Sequence, residues 1–176
     1  MPVSIFPYIP QYITVHLGPA SQWAENVTVT FPDYIKNVAS SEVYPTWNEQ
    51  ALRANILAQI SFALNRVYTE YYPSRGYTFH ITNSTATDQK FIRGRNIFEN
   101  IEVIVDEIFD TYIRRIGYVE PLSARFCNGT TVTCTWHWHR HRMMLFLMPQ
   151  STATMRGDRP LLNTRGVFSD TSATRL

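Results

Sequence analysis

The sequence predicts an α+β domain, predominantly helical, with long helices, a few short strands and a poorly ordered carboxy-terminal tail. Three observations predict it: an alternating run at 27–31, a capped apolar-periodic run beginning after Thr46, and a second such run from Ile101. Val27, Val29 and Phe31 alternate with Thr28 and Thr30, as a half-buried strand requires. Pro32 and Asp33 then suit the first turn of a short helix running through Tyr34, Ile35 and Val38 towards Glu42. In Thr46-Trp47-Asn48-Glu49, Thr46 can cap the amide three residues on and Glu49 can return the bond, so a helix is expected to begin here. Its apolar face is Leu52, Ile56, Ile60, Ala63, Leu64 and Val67, and Pro73 must end it. Asn96 with Glu99 repeats the capping logic before Ile101, Ile104, Val105, Ile108 and Tyr112, giving a helix expected to end near Gly117. The two long helices frame a polar segment, 77–95.

A length of 176 residues predicts one domain, with or without a tail. Sixteen basic and 14 acidic residues leave a net charge of +2, too balanced for a nucleic-acid footprint or a polybasic membrane anchor. No nucleic-acid partner is expected. The longest apolar run, Met143 to Met148, falls far short of the roughly 20 residues that span a bilayer, so no transmembrane segment is expected. The opening Met-Pro-Val-Ser-Ile-Phe-Pro carries no visible signal peptide.

The charge is unevenly spread. Residues 1–134 hold 10 Lys and Arg against 12 Asp and Glu, whereas residues 135–176 hold 6 against 2. The tail also concentrates four of the five Met and three of the five His, without a sustained period of 2 or 3.6, so little independent packing is expected after Met148. A boundary at 134/135 follows. His137, His139 and His141 would share one face of a strand, but their spacing matches no usual zinc pattern and no carboxylate lies nearby, so no metal is expected. Asn128-Gly129 signals a hairpin that would set Cys134 about 13 Å from Cys127 along the partner strand, at ~3.4 Å per residue. Free thiols are expected at both.

Glu42 stands among Val43, Tyr44 and Trp47 just before the long helix. Apolar neighbours there would raise its pKa and keep a proton available for transfer. An exposed loop carboxylate, or a capping partner for the next helix, is the plain alternative. Tyr68, Tyr71, Tyr72 and Tyr77, with Arg75, Arg93 and Arg95, suit either a sugar groove or an amphipathic helix end beside a solvated basic loop.

The stretch from Asp33 to Arg66 resembles the stage II sporulation protein D (SpoIID/LytB) family. That family's pattern is a tyrosine-containing helix, a Val-x-x-x-Glu step, Pro-x-x-Trp and a long Ala/Leu-rich helix. Tyr34, Val38, Glu42, Glu49, Ala51, Leu52, Ala54, Ala58, Ala63 and Leu64 meet it here, and Pro45 and Trp47 match its Pro and Trp with one residue fewer between them. Asn83 to Phe91 is similar to a second family segment, Asp-Thr-x-x-x-Gln-x-Tyr. The resemblance covers residues 28–134 and implies a SpoIID-like domain over 1–134.

What the resemblance implies is cleavage of peptidoglycan glycan strands by a lytic transglycosylase mechanism, with Glu42 as the single general acid/base. Trp47, Tyr44, Asp88 and Gln89 are then the substrate-binding candidates. No cofactor is implied, because the His and Cys of the zinc site in some members are not matched, and only His80 stands near. The alternative is a non-catalytic module that binds peptidoglycan or assists a cell-wall amidase. It arises because the family's Gly-rich groove segment is replaced from Thr135 onward, which reads as a truncated domain followed by a frame-shifted or disordered tail. Location in the cell wall or spore envelope is implied by the resemblance alone.

Overall fold

The computed structural model describes residues 7–124, together with the backbone of the strand segments 126–127, 145–146 and 171–175. Three α-helices and a small mixed sheet make an α+β arrangement. Strands β1 (Tyr12–His16) and β2 (Asn26–Thr30) pair antiparallel, Val15 opposite Val27, and β1 also pairs in parallel with the two-residue β3 (Ile81–Thr82). The sheet order is β2-β1-β3. Alternation sends Ile13 and Val15 of β1 into the core, while Thr14 meets Thr28 across the other face at 3.1 Å.

Helix α1 (Phe31–Glu42) follows β2 without a loop. Thr30 makes the transition: it stays extended, and its hydroxyl accepts from the Asp33 amide while donating to the Asp33 carboxylate at 2.6 Å. Phe31 therefore opens the helix rather than closing the strand. Helix α2 (Glu49–Tyr68) begins at Asn48, whose side chain accepts from the Gln50 amide at 2.9 Å, so the cap is Asn48 and not the expected Thr46. The reason is local: the Trp47 amide bonds the Tyr44 carbonyl and folds Thr46 into a turn ahead of the helix.

Between Ala54 and Arg66 nearly every residue of α2 is buried, so this helix forms the centre of the domain. Helix α3 (Glu99–Ile108) packs Ile101, Ile104 and Val105 against it and against α1. Its outer face takes a cation from each neighbour, Lys36 between Glu102 and Asp106, and Arg53 at Glu107, with Glu49 of α2 itself on the other side of Arg53. Two expectations for α3 are corrected. Asn96 does not cap it; the Phe98 amide, at the cap position, bonds the Ser40 hydroxyl of α1 at 3.3 Å. Nor does it reach Gly117, because Tyr112 belongs to strand β4 (Thr111–Arg115). Thr111, Tyr112 and Ile113 favour a pleated surface, and as a strand between α2 and β7 they bury Tyr112 and Ile113 on its two faces.

Strand β4 pairs antiparallel with β7 (Thr171–Arg175), while β5 (Phe126–Cys127) and β6 (Leu145–Phe146) pair in parallel. Both partner strands lie beyond residue 134, in the segment expected to lack order. The Asn128-Gly129 hairpin, Cys134 and the three histidines at 137, 139 and 141 lie outside the described residues. No helix among those described is long and apolar enough to cross a membrane.

Strand β4 is fastened to α2 by one hydroxyl. Ser61, fully buried, donates to the Leu57 carbonyl and accepts from the Ile113 amide at 2.8 Å. Ser61→Ala strands that amide, and urea unfolding is expected to register a loss of about 1–3 kcal/mol.

Candidate active site

Glu42 is the last residue of α1, and both its oxygens are met by neutral donors from other parts of the fold. The Gln59 side-chain amide on α2 donates to Oε2 at 2.9 Å, and the Lys90 backbone amide donates to Oε1 at 2.7 Å. Burial, the largest influence, pushes the carboxyl up from its ordinary 4.5 to about 7 against the lowering effect of those donors and of the Lys90 charge. Such a group is close to half protonated at neutral pH and can both give and take a proton. The residue as a whole is half-buried.

The loop that supplies the Lys90 amide is held on both sides of that residue. Asp88 accepts from the Arg66 Nε at 2.8 Å, from the Thr82 amide at 3.1 Å, from the Thr82 hydroxyl at 2.7 Å and from the Tyr72 hydroxyl. Gln89 accepts from the Tyr34 hydroxyl at 3.0 Å and donates to the Gln59 carbonyl at 3.1 Å. Beyond Lys90, Asn37 of α1 exchanges two bonds with the Ile92 backbone, and Arg95 donates twice to the Ser40 carbonyl. The last two turns of α1 and residues 88–98 thus behave as one unit, and the Lys90 amide is aimed at Glu42 by its neighbours.

No family model and no curated protein matches this chain. The site must accordingly be judged on its own geometry. Tyr44 projects into solvent, 70 % exposed, with the half-buried Trp47 ring 6.2 Å away and tilted to it. Asn100 of α3 bonds the Pro45 carbonyl at 2.8 Å and fixes the turn that carries both rings. These two aromatics lie within five residues of Glu42 in the chain.

Asp88 and Gln89 have a different situation from Tyr44 and Trp47. The Asp88 side chain is fully buried and Gln89 nearly so, and the bonds described above turn their polar groups inward. The tyrosine and arginine set does not assemble as one groove either. Tyr72 is buried against Asp88, Tyr71 lies between the Arg66 and Arg75 guanidiniums at 3.8 and 4.0 Å, and Arg93 pairs with Glu25 at 2.7 Å. His80 accepts from the Thr14 amide at 3.0 Å, and burial lowers its pKa.

Gln59 is the site residue that motif reasoning missed. Its signal is a polar residue set among Ile56, Ala58, Ile60 and Ala63, a place where a side chain is buried and must find a partner. Tyr34 is reached through Gln89, and burial together with the nearby Glu42 charge raises its pKa well above the usual value, so it stays a neutral donor.

Two outcomes are expected. The folded chain holds the Glu42 proton to higher pH than the unfolded chain does, so stability falls as pH rises from about 4.5 to about 7 and is flat above. Denaturant titrations across that range should show Glu42→Gln gaining on the native chain by on the order of 3 kcal/mol. Asp88→Asn leaves Arg66 buried without its counter-charge, and thermal unfolding should register a loss of about 3–5 kcal/mol.

Proposed function

We propose that the chain cleaves peptidoglycan glycan strands by a lytic transglycosylase mechanism with Glu42 as the general acid/base. The observation that supports this most directly is a carboxyl at the end of α1 desolvated to a pKa of about 7, with an exposed tyrosine two residues further along the chain. Protonated Glu42 gives its proton to the glycosidic oxygen as the bond to the muramyl C1 breaks. The resulting carboxylate takes the proton of the muramyl C6 hydroxyl as that oxygen closes the 1,6-anhydro ring. One carboxyl serves both steps, so no second acid is required. Asp88, the acid on the adjoining loop, is occupied by Arg66 and is not cast as a partner.

Tyr44 and Trp47 are assigned to stacking on pyranose faces. Asp88 and Gln89 serve the substrate in this reading by fixing the Lys90 amide rather than by touching sugar. A helix-dominated, SpoIID-like architecture over residues 1–134 and a place in the cell wall or spore envelope belong to the same proposal. A second reading, a module that binds glycan or assists an amidase without cleaving, is favoured by one observation: both Glu42 oxygens already hold internal donors.

Mass spectrometry of purified glycan strands, with and without stem peptides, decides between them. Native chain should release 1,6-anhydromuramyl products, and Glu42→Gln should lower the rate by about 10²–10⁴-fold while glycan binding persists. Binding without product from a folded native chain would leave the second reading.

A further inference from the structure

Gln59 is fully buried, and its side chain is used on one end only. Its Nε2 donates to Glu42 Oε2 at 2.9 Å, while its Oε1 has no hydrogen-bond partner among the described residues. An empty buried acceptor is costly to maintain in a single fixed state. The neighbour explains it, since a carboxyl that gains and loses a proton asks for different partners in its two forms. The carboxylate only accepts, whereas the acid has an O–H to donate. On the Oε1 side of Glu42 stands the Lys90 backbone N–H, which can only donate. On the Oε2 side stands a primary amide, with a donor and an acceptor on one flat group whose terminal torsion is soft.

We infer that Gln59 is a positioning residue that reverses its side-chain amide with the protonation state of Glu42, turning Nε2 to the carboxylate and Oε1 to the acid, and so keeps the transferable proton on Oε2. The inference rests on reading Glu42 as the group that gives and takes the proton. The change consists of one solvent proton added to Oε2 and a half-turn of the amide, with no other bond made or broken. Asn55, one helical turn earlier on the same face, is also fully buried with neither side-chain polar atom partnered among the described residues. It supplies unused donor and acceptor capacity beside the moving group.

The charged and titratable surroundings are otherwise settled. Tyr34 on α1 stays neutral, Arg66 on α2 and Asp88 on the loop are paired with each other, and the Lys90 residue is exposed. Glu102 and Asp106 of α3 are taken by Lys36, and Glu49 by Arg53. Glu42 is thus the group whose titration the amide would follow.

The test is a pH titration of the full chain by NMR without glycan, from about pH 5 to about pH 9. The Glu42 Cδ and the Gln59 side-chain nitrogen should shift with one shared midpoint. The nuclear Overhauser contact between the Gln59 amide protons and the Glu42 γ protons should weaken severalfold on the acid side. A contact unchanged through the midpoint would overturn the inference, as would a Gln59 signal that still titrates in Glu42→Gln. In Gln59→Met, which keeps the length and loses both functions, the Glu42 midpoint should rise by about 0.5–1 pH unit, because the bond to the charged form is the stronger of the two. A midpoint that stays or falls would also overturn it. These readouts need no substrate, so failed glycan cleavage and a failed titration are distinguishable.

Discussion

Burial of α2 on nearly all sides is the constraint from which the rest of the domain follows. Five polar side chains, Asn55, Gln59, Ser61, Asn65 and Arg66, go into the interior with it. Desolvating them is tolerable only where neighbours meet their hydrogen-bonding groups, and four of the five draw in a different piece of chain. Ser61 takes the β4 backbone, Asn65 takes the Glu120 side chain and the Pro121 carbonyl, Arg66 takes the 87–88 loop, and Gln59 takes the end of α1. The helix is therefore a polar hub inside an apolar core, and the elements around it are placed by direction as well as by area.

That hub treats two carboxyls in opposite ways. Asp88 receives a full positive charge from Arg66 and further hydrogen bonds from Thr82 and Tyr72, so its desolvation is offset and its role is mechanical. Glu42 receives only an amide side chain and a backbone N–H, which satisfy its geometry without matching its charge. The difference in partner, not in depth, makes Glu42 the group whose charge is negotiable near neutrality. Adjoining parts of one loop thus serve rigidity at Asp88 and a hydrogen bond to Glu42 at Lys90.

Most of the backbone plan was legible because it rests on local rules. Alternation marks β2, the Pro32-Asp33 start marks α1, and periodicity marks the body of α2. The failures have two causes, a competing local turn at Thr46 and distant partners elsewhere. Thr46 loses the cap to Asn48 because of a turn tied at Tyr44, and Asn96 loses its cap to a hydroxyl on α1. Tyr112 continues the helical period but is taken into a strand by contacts with α2 and β7. Glu42 was legible by its apolar surroundings, whereas Gln59 as its partner was not, since nothing in the chain records which face of α2 meets the end of α1. Asp88 and Gln89 were placed near the site by motif, and their inward orientation depends on Arg66 and Tyr34, which lie 22 and 55 residues away.

The pairing of β4 with β7 sets Thr111 opposite Arg175, 64 residues on, a reach comparable with the 66 residues between Val15 and Ile81 where β1 meets β3. Contacts of such long sequence separation carry a large loop-closure entropy and are made late on a folding route. Helix α2 and β4 can dock first through Ser61, so a nearly complete core would then exist with one strand edge still unpaired. During that interval β4 presents its backbone as a template for any extended chain, and the two adjacent arginines at 114 and 115 put positive charge on the exposed rim. Adjacent cationic side chains on a strand edge are the composition that disfavours addition of a foreign strand.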